Sequence, residues 1–346
     1  MCCFPALRGD ASAICWLCLL CVVLSGCDKT PERQVVVYTA LDREFSEPLL
    51  QDYETGTATK VLAKYDVEST KTVGLVEALI AEKDRPRCDL FWNNEILNTI
   101  RLQKLGLLAA VKSPHGEEFP AAMRDPQGQW YGFAARLRII IVNTKLIQEA
   151  EYPKSILELS DPKWRGRVGL AKPLFGTTAT HLAVLFSEWG EERATKFLRE
   201  VLANKTQILG GNKQVATAVA SGQLAWGLTD TDDALGQIEA GMPVAIVYPD
   251  QEKHGLGVLA IPNTLAILKN CPHPEQAREV REYLLTPKIE NALANGPSGQ
   301  VPLHPQATAT KRIKTFSELT LQAVDWNNAA DRWLSAMKVI REVIVD

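Results

Sequence analysis

Short runs rich in Val, Ile, Leu and aromatic residues alternate along this chain with stretches whose apolar positions recur at helical spacing. Gln34–Thr39 (QVVVYT), 88–92, 137–143, 167–171, 224–228, 244–248 and 257–261 read as strands. The first is apolar enough to be buried on both faces. Leu137–Asn143 (LRIIIVN) is the most hydrophobic of the set. Residues 44–55, 72–83, 97–107, 180–202, 275–285 and 326–344 read as helices. Such alternation predicts an α/β fold built on a mostly parallel sheet. The strands cluster before about residue 133 and again between about 137 and 248, and the run at 257–261 returns afterwards. That distribution predicts two lobes: 34–133 with about 249–300, and 134–248 with about 301–346.

The N-terminus follows a different pattern. Ala13–Leu24 is an apolar block shorter than the roughly 20 residues a membrane-spanning helix needs, and it has the length of a signal-peptide core. The stretch Leu24-Ser25-Gly26-Cys27 resembles a bacterial lipobox, in which the Cys becomes the lipidated first residue; the alternative is an ordinary signal peptide with a chance Cys. The expectation is a leader over 1–26, a polar tether over 27–33, and an exported protein held at the periplasmic face by lipid alone. Six of the 8 Cys lie at or before Cys27, so beyond the leader only Cys88 and Cys271 remain, either paired or as small buried residues. No CxxC or HxxxH spacing occurs beyond the leader, which removes a structural zinc site.

Composition narrows the classes of partner. Hydrophobic content of 46% and charged content of 23% are those of an ordinary globular protein. Roughly 320 residues after the leader suffice for two cores. A net charge of -3 gives no basis for binding nucleic acid or an anionic membrane surface.

In a two-lobed α/β architecture a ligand sits between the lobes at the carboxyl ends of strands. That rule selects Thr39-Ala40-Leu41-Asp42, Asn93-Asn94-Glu95, Gly176-Thr177-Thr178 and Asp230-Thr231-Asp232-Asp233. The last lies within GLTDTDDA at 227–234, three carboxylates within four residues. They either cap and complement a helix start or hold something positive, because crowded carboxylates raise one another's pKa unless compensated. Arg136 and Arg138 fall on one face of the most apolar strand, either as a hinge-capping pair or as an anion-capturing one. Gly176–Thr178 and Glu68–Thr72, with Thr70 at its centre, offer hydroxyls and backbone N–H groups at helix starts, as caps or as anion sites. The five His are scattered, and none is assigned to a metal.

The segments VVVYTALD at 35–42, ESTKTVGLVEALIAEK at 68–83, CDLFWNNEI at 88–96, RLRIIIVNT at 136–144, LSDPKWRGRVGLAKP at 159–173, GLTDTDDA at 227–234 and VLAIPNT at 258–264 resemble the bacterial family 1 extracellular solute-binding proteins. The branch they look most similar to is that of the ferric-ion binders of ABC importers. The resemblance implies a two-lobed type II periplasmic-binding-protein fold that closes by a hinge, an ABC permease and ATPase as partners, and no catalysis. It also implies a ligand of ferric iron or a related metal–anion complex, with arginines at the Arg136–Arg138 strand contacting the synergistic anion, and no required cofactor. Where those ferric binders carry two adjacent tyrosines, this chain has Asp232-Asp233. Carboxylates are hard donors, so iron would rest on Asp230, Asp232 and Glu95 instead. A small zwitterionic or anionic solute such as an aminophosphonate is the alternative, its amine on the acids and its anion on the arginines. A remoter one is a DxD-type metal-dependent glycosyltransferase built on Asp230-Thr231-Asp232.

Overall fold

The computed structural model describes residues 33–66, 72–308 and 311–345. Nine strands form one sheet: β1 (Gln34–Thr39), β2 (Lys60–Tyr65), β3 (Leu90–Asn93), β4 (Tyr131–Asn143), β5 (Val168–Ala171), β6 (Gln207–Leu209), β7 (Trp226–Asp230), β8 (Val244–Val247) and β9 (Ala260–Ile267). Their order is β2-β1-β3-β9-β4-β7-β5-β6, with β8 also paired to β4. The long helices are α1 (Arg43–Thr57), α2 (Val73–Ala81), α3 (Leu97–Lys104), α4 (Gly176–Trp189), α5 (Glu191–Ala203), α6 (Asn212–Ala220), α7 (Thr231–Glu239), α8 (Pro274–Leu284), α9 (Pro287–Asn295) and α10 (Trp326–Val345). None of these is long and apolar enough to cross a membrane.

The fold is α/β and two-lobed, and β4 is the strand that joins the halves. Its first half pairs with β9, which pairs in turn with β3, whereas its second half pairs with β7 and β8. All thirteen of its residues are buried, which explains why it is the most apolar run in the chain. The sheet is mixed where the alternation predicted a mostly parallel one. β1–β2, β1–β3, β5–β6 and β5–β7 are parallel, but β9 enters antiparallel between β3 and β4, and β4 runs antiparallel to β7 and β8. The helix expected over 180–202 is two helices broken at Gly190, whose φ of 79° lies in the left-handed region that favours glycine. One core packs β1, β3 and the first half of β4 under α1, α8 and α9; another packs the second half of β4 under α6 and α7. The last helix, α10, lies against α3 on one side and α4 and α5 on the other. Cys88 is buried and Cys271 half-buried, and both are free thiols.

Candidate functional site

β7 ends at Asp230, directly opposite Arg138 in the antiparallel register with β4. Both side chains are buried, and the pairing is a close one: Arg138 Nη1 donates to Asp230 Oδ1 at 2.7 Å. The other carboxylate oxygen, Oδ2, accepts from the Thr177 hydroxyl at 2.5 Å and from Asn212 Nδ2 at 3.0 Å. Arg138 also donates to Thr177 Oγ1, Asn212 Oδ1 and Thr178 Oγ1, each at 3.2 Å. Asp230 occupies the N-cap position of α7, yet its side chain makes no cap hydrogen bond. Its role is to tie together β4, β7 and the first turns of α4 and α6. Asp230 ends β7 and α7 starts at Thr231, so Asp232 sits in a helical turn, and both side chains still line the same cavity.

Arg136, two residues before Arg138 on the same face, is buried as well and donates to the backbone carbonyl of Asn94 at 2.5 Å. Its Nη1 lies 3.5 Å from Asp232 Oδ2 and 3.9 Å from Asp230 Oδ2. Burial alone lowers the Arg136 pKa, but Asp232, Asp230, Asp42 and Asp233 together raise it above its ordinary value. Burial likewise pushes the Asp230 carboxyl up, and the Arg138 and Arg136 guanidiniums with the Thr177 hydroxyl outweigh it, holding it below the usual carboxylate range. Behind the pair, burial and then Arg138 pull the His181 imidazole down to about 3. His181 is therefore neutral at physiological pH and stands outside the charge balance.

Asp42, Asn94, Arg136, Gly176, Thr177, Thr178, Asp230, Asp232 and Asp233 line one cavity of about 30 Å³, room for one or two water-sized groups. Asp42 enters it from the start of α1, and Gly176 opens α4 with a φ of 60°, the left-handed conformation that only glycine adopts readily. Asp230, Asp232 and Asp233 each bring an oxygen within 4.8 Å of the others. Asp233 also accepts from the Thr229 hydroxyl at 3.1 Å.

Other expected residues are placed elsewhere. Glu95 is not part of the acid cluster: its buried carboxylate accepts the N–H groups of Leu97 and Asn98 at 2.7 and 3.1 Å and the Thr180 hydroxyl at 2.9 Å. It caps α3 and bridges to α4, apart from the acids with which it was grouped as a metal set. Thr39 and Leu41 shape the β1–α1 turn through a bond from the Leu41 N–H to Thr39 Oγ1, and neither lines the cavity. Thr231 Oγ1 accepts from the Leu137 N–H at 3.3 Å, bracing strand to helix. Thr70 and Cys27 lie outside the described residues. The cavity adds Lys172, Phe175, Asn212 and Lys213, which sequence reading missed. Lys172 follows β5 directly, so the strand-end rule reaches it; Asn212 and Lys213 follow β6, a three-residue strand too short to be seen in the pattern.

A family model for the bacterial extracellular solute-binding protein matches residues 98–332, which include Asp230, Asp232 and Asp233. The chain belongs to that family. Its members bind solutes and are not enzymes, which removes the DxD sugar-transfer reading. Iron uptake protein A1 of Synechocystis sp. is 23% identical over 338 residues, covering 92% of each chain. Iron-bound HitA of Pseudomonas aeruginosa superposes with a TM-score of 0.81 at 23% identity, over 90% of this chain and 99% of that one. AfuA of Actinobacillus pleuropneumoniae, solved with fructose-6-phosphate, gives a TM-score of 0.80 at 20% identity, over 91% and 100%. These likenesses fix the fold as that of a two-lobed periplasmic binding protein.

Proposed function

We propose that this protein is the binding component of an ABC importer, serving a permease and an ATPase, and that its cleft, widened beyond the present cavity of about 30 Å³ when the lobes part at β4, takes a small polar organic solute. That solute carries an anionic group at one end and amine or hydroxyl donors at the other. The observation that carries this reading is the engagement of Asp230. With both oxygens held by Arg138, Thr177 and Asn212, it is a brace for the site and not a ligand to a metal. Asp42, Asp232 and Asp233 then supply acceptors for donors on the solute, and Lys172, Lys213 and the N-termini of α4 and α6 supply positive charge for its anion. Among the described residues the cavity lining includes no tyrosine and no histidine, so of the usual ferric donors a ferric ion would find only carboxylates there.

Ferric iron with a synergistic anion is the second reading, favoured by the three acid oxygens within 4.8 Å of one another. Purification without denaturation, followed by elemental and mass analysis of what accompanies the protein, separates the two. The expected result is an organic anion bearing amines or hydroxyls; iron near one equivalent overturns it. A thermal-shift panel of amino-phosphonates, sugar phosphates and ferric complexes gives the same decision independently. Solute at a hundred times its dissociation constant stabilises the folded state by about 2.7 kcal/mol, a rise of several degrees.

In this reading β4 is the hinge, 34–133 with about 249–300 forms one lobe, and 134–248 with about 301–346 forms the other. Leader cleavage before Cys27 leaves a lipid-anchored protein. Cys27→Ala should abolish acylation and release the protein from membranes, because each acyl CH₂ contributes about 0.8 kcal/mol of anchoring. Unchanged membrane fractionation of that variant would remove the lipid anchor from the proposal.

A further inference from the structure

The strand that joins the lobes is irregular at one place. The β4–β9 register shifts between Phe133 and Ala135, and Ala134 adopts a φ of 41°, in the left-handed region that a residue with a Cβ rarely enters. On the partner strand the position opposite Ala135 is Pro262, which has no N–H to give the ladder. Side chains replace the missing ladder bonds at Ala134. Its N–H donates to Glu290 Oε1 at 2.7 Å, and its carbonyl accepts from Asn263 Nδ2. Ala135 exchanges two 2.8 Å backbone bonds with Val301. Glu290, buried on α9, uses its other oxygen to hold the N–H groups of Leu303 at 2.5 Å and His304 at 3.4 Å. One carboxylate thus ties the bulge in β4 to the segment that crosses beside it.

We propose that Glu290 is a hinge clamp: its ionised carboxylate fixes the β4 backbone at Ala134, and its protonation frees that segment, so that lobe movement depends on pH. This rests on the reading of β4 as the hinge. A carboxylate accepts all three N–H groups, whereas a neutral carboxyl turns an O–H toward donors and leaves one N–H without an acceptor. Burial pushes the Glu290 carboxyl up to about 7, against the three N–H groups that favour its charged form. The direction has a consequence for global stability too. A carboxyl raised in the folded state contributes stability that is present below its ordinary value and is lost as pH rises through about 7. Acidification therefore strengthens the fold as a whole while loosening the hinge. The titratable groups on the surrounding elements are His304, with Glu118 3.4 Å from its ring and His115 beyond. On α8, Arg281 pairs with Glu282 and with the carbonyls of Val111 and Lys112; Lys288 on α9 itself pairs with Asp52, and Arg136 further along β4 is turned to the cleft acids.

The test is amide hydrogen exchange over residues 131–137 of the purified protein at about pH 8 and about pH 6, corrected for intrinsic rates. Loss of one acceptor should lower protection in wild type by about tenfold at the lower pH. Glu290→Gln, which is neutral throughout, should be low and flat across both. His304→Gln should keep the wild-type response. A flat wild-type profile, or a response lost in His304→Gln and kept in Glu290→Gln, overturns the clamp. If Glu290→Gln does not fold, the wild-type and His304→Gln profiles still decide. A flat profile in a protein that nonetheless co-purifies with solute would remove the clamp and leave the importer reading standing.

Discussion

Asp230→Asn is expected to lower stability by about 3–5 kcal/mol, the range for removing one member of a buried ion pair. The cost comes from what remains. Arg138 would be left fully buried with hydroxyls and an amide around it and no carboxylate at 2.7 Å. Thermal melts and urea midpoints should both fall, by several degrees in the first case. Adding Arg138→Met to Asp230→Asn should recover much of the loss, since the second change removes the stranded charge, and the double-mutant cycle measures the coupling. The pH profile carries the same signature. The Asp230 pKa is depressed in the folded state, so its contribution is present above its unfolded value and disappears as pH falls through the folded one. Wild type should therefore lose stability in acid more steeply than Asp230→Asn. A variant with wild-type melting and an unchanged acid limb would show that the pair adds nothing.

The sequence made the fold legible wherever burial was complete. Strands β1, β4, β5 and β7 were found because residues such as Val35, Val37, Ile139–Ile141 and Trp226 have no exposed surface, so apolar residues dominate each run even where a buried Arg138 or Thr229 interrupts it. Strand β2 escaped because it is an edge, with Lys60 and Lys64 exposed among partly covered residues, and lysines on an edge prevent pairing with other chains. The first half of β4 escaped for another reason: the bulge at Ala134 breaks the alternation that defines a strand. Most of the site followed from the strand-end rule, which needs only the ends of strands to be seen. What it could not supply was the division of labour among the acids. Asp230, Asp232 and Glu95 look alike as letters, and only register and helix starts decide that Asp230 faces Arg138, that Glu95 caps α3, and that Asp232 reaches the cavity. Arg136 and Arg138 lie on one face as expected, but from sequence an arginine paired with a carboxylate on the neighbouring strand, far along the chain, cannot be told from one awaiting an anion.

Asp232→Asn and Asp233→Asn should cost less stability than Asp230→Asn and should act chiefly by weakening solute binding. Arg136 tolerates loss of the Asp232 charge because Asp230 lies 3.9 Å away, Asp42 and Asp233 also act on it, and its Nη2 is anchored to the Asn94 carbonyl. At 3.5 Å the buried Arg136–Asp232 pair is longer than the 2.7 Å Arg138–Asp230 pair, so its loss should cost less stability than that of Asp230. A solute amine or hydroxyl, by contrast, would meet these carboxylates out of bulk water. Replacing a charged acceptor by a neutral amide there costs about 1.5–3 kcal/mol, or roughly ten- to hundred-fold in affinity. Asp232 should show the larger defect, being the more buried of the two, and Asp233 the smaller, since it also accepts from Thr229. Lys172→Met should weaken binding as well, from the anionic end of the solute. Calorimetry with the solute found by native mass analysis reads all three. Full affinity in both Asn variants would leave the acids as complements to the α7 dipole and overturn their role in recognition. Loss of ferric binding, with organic solutes indifferent, would instead transfer the same residues to the iron reading.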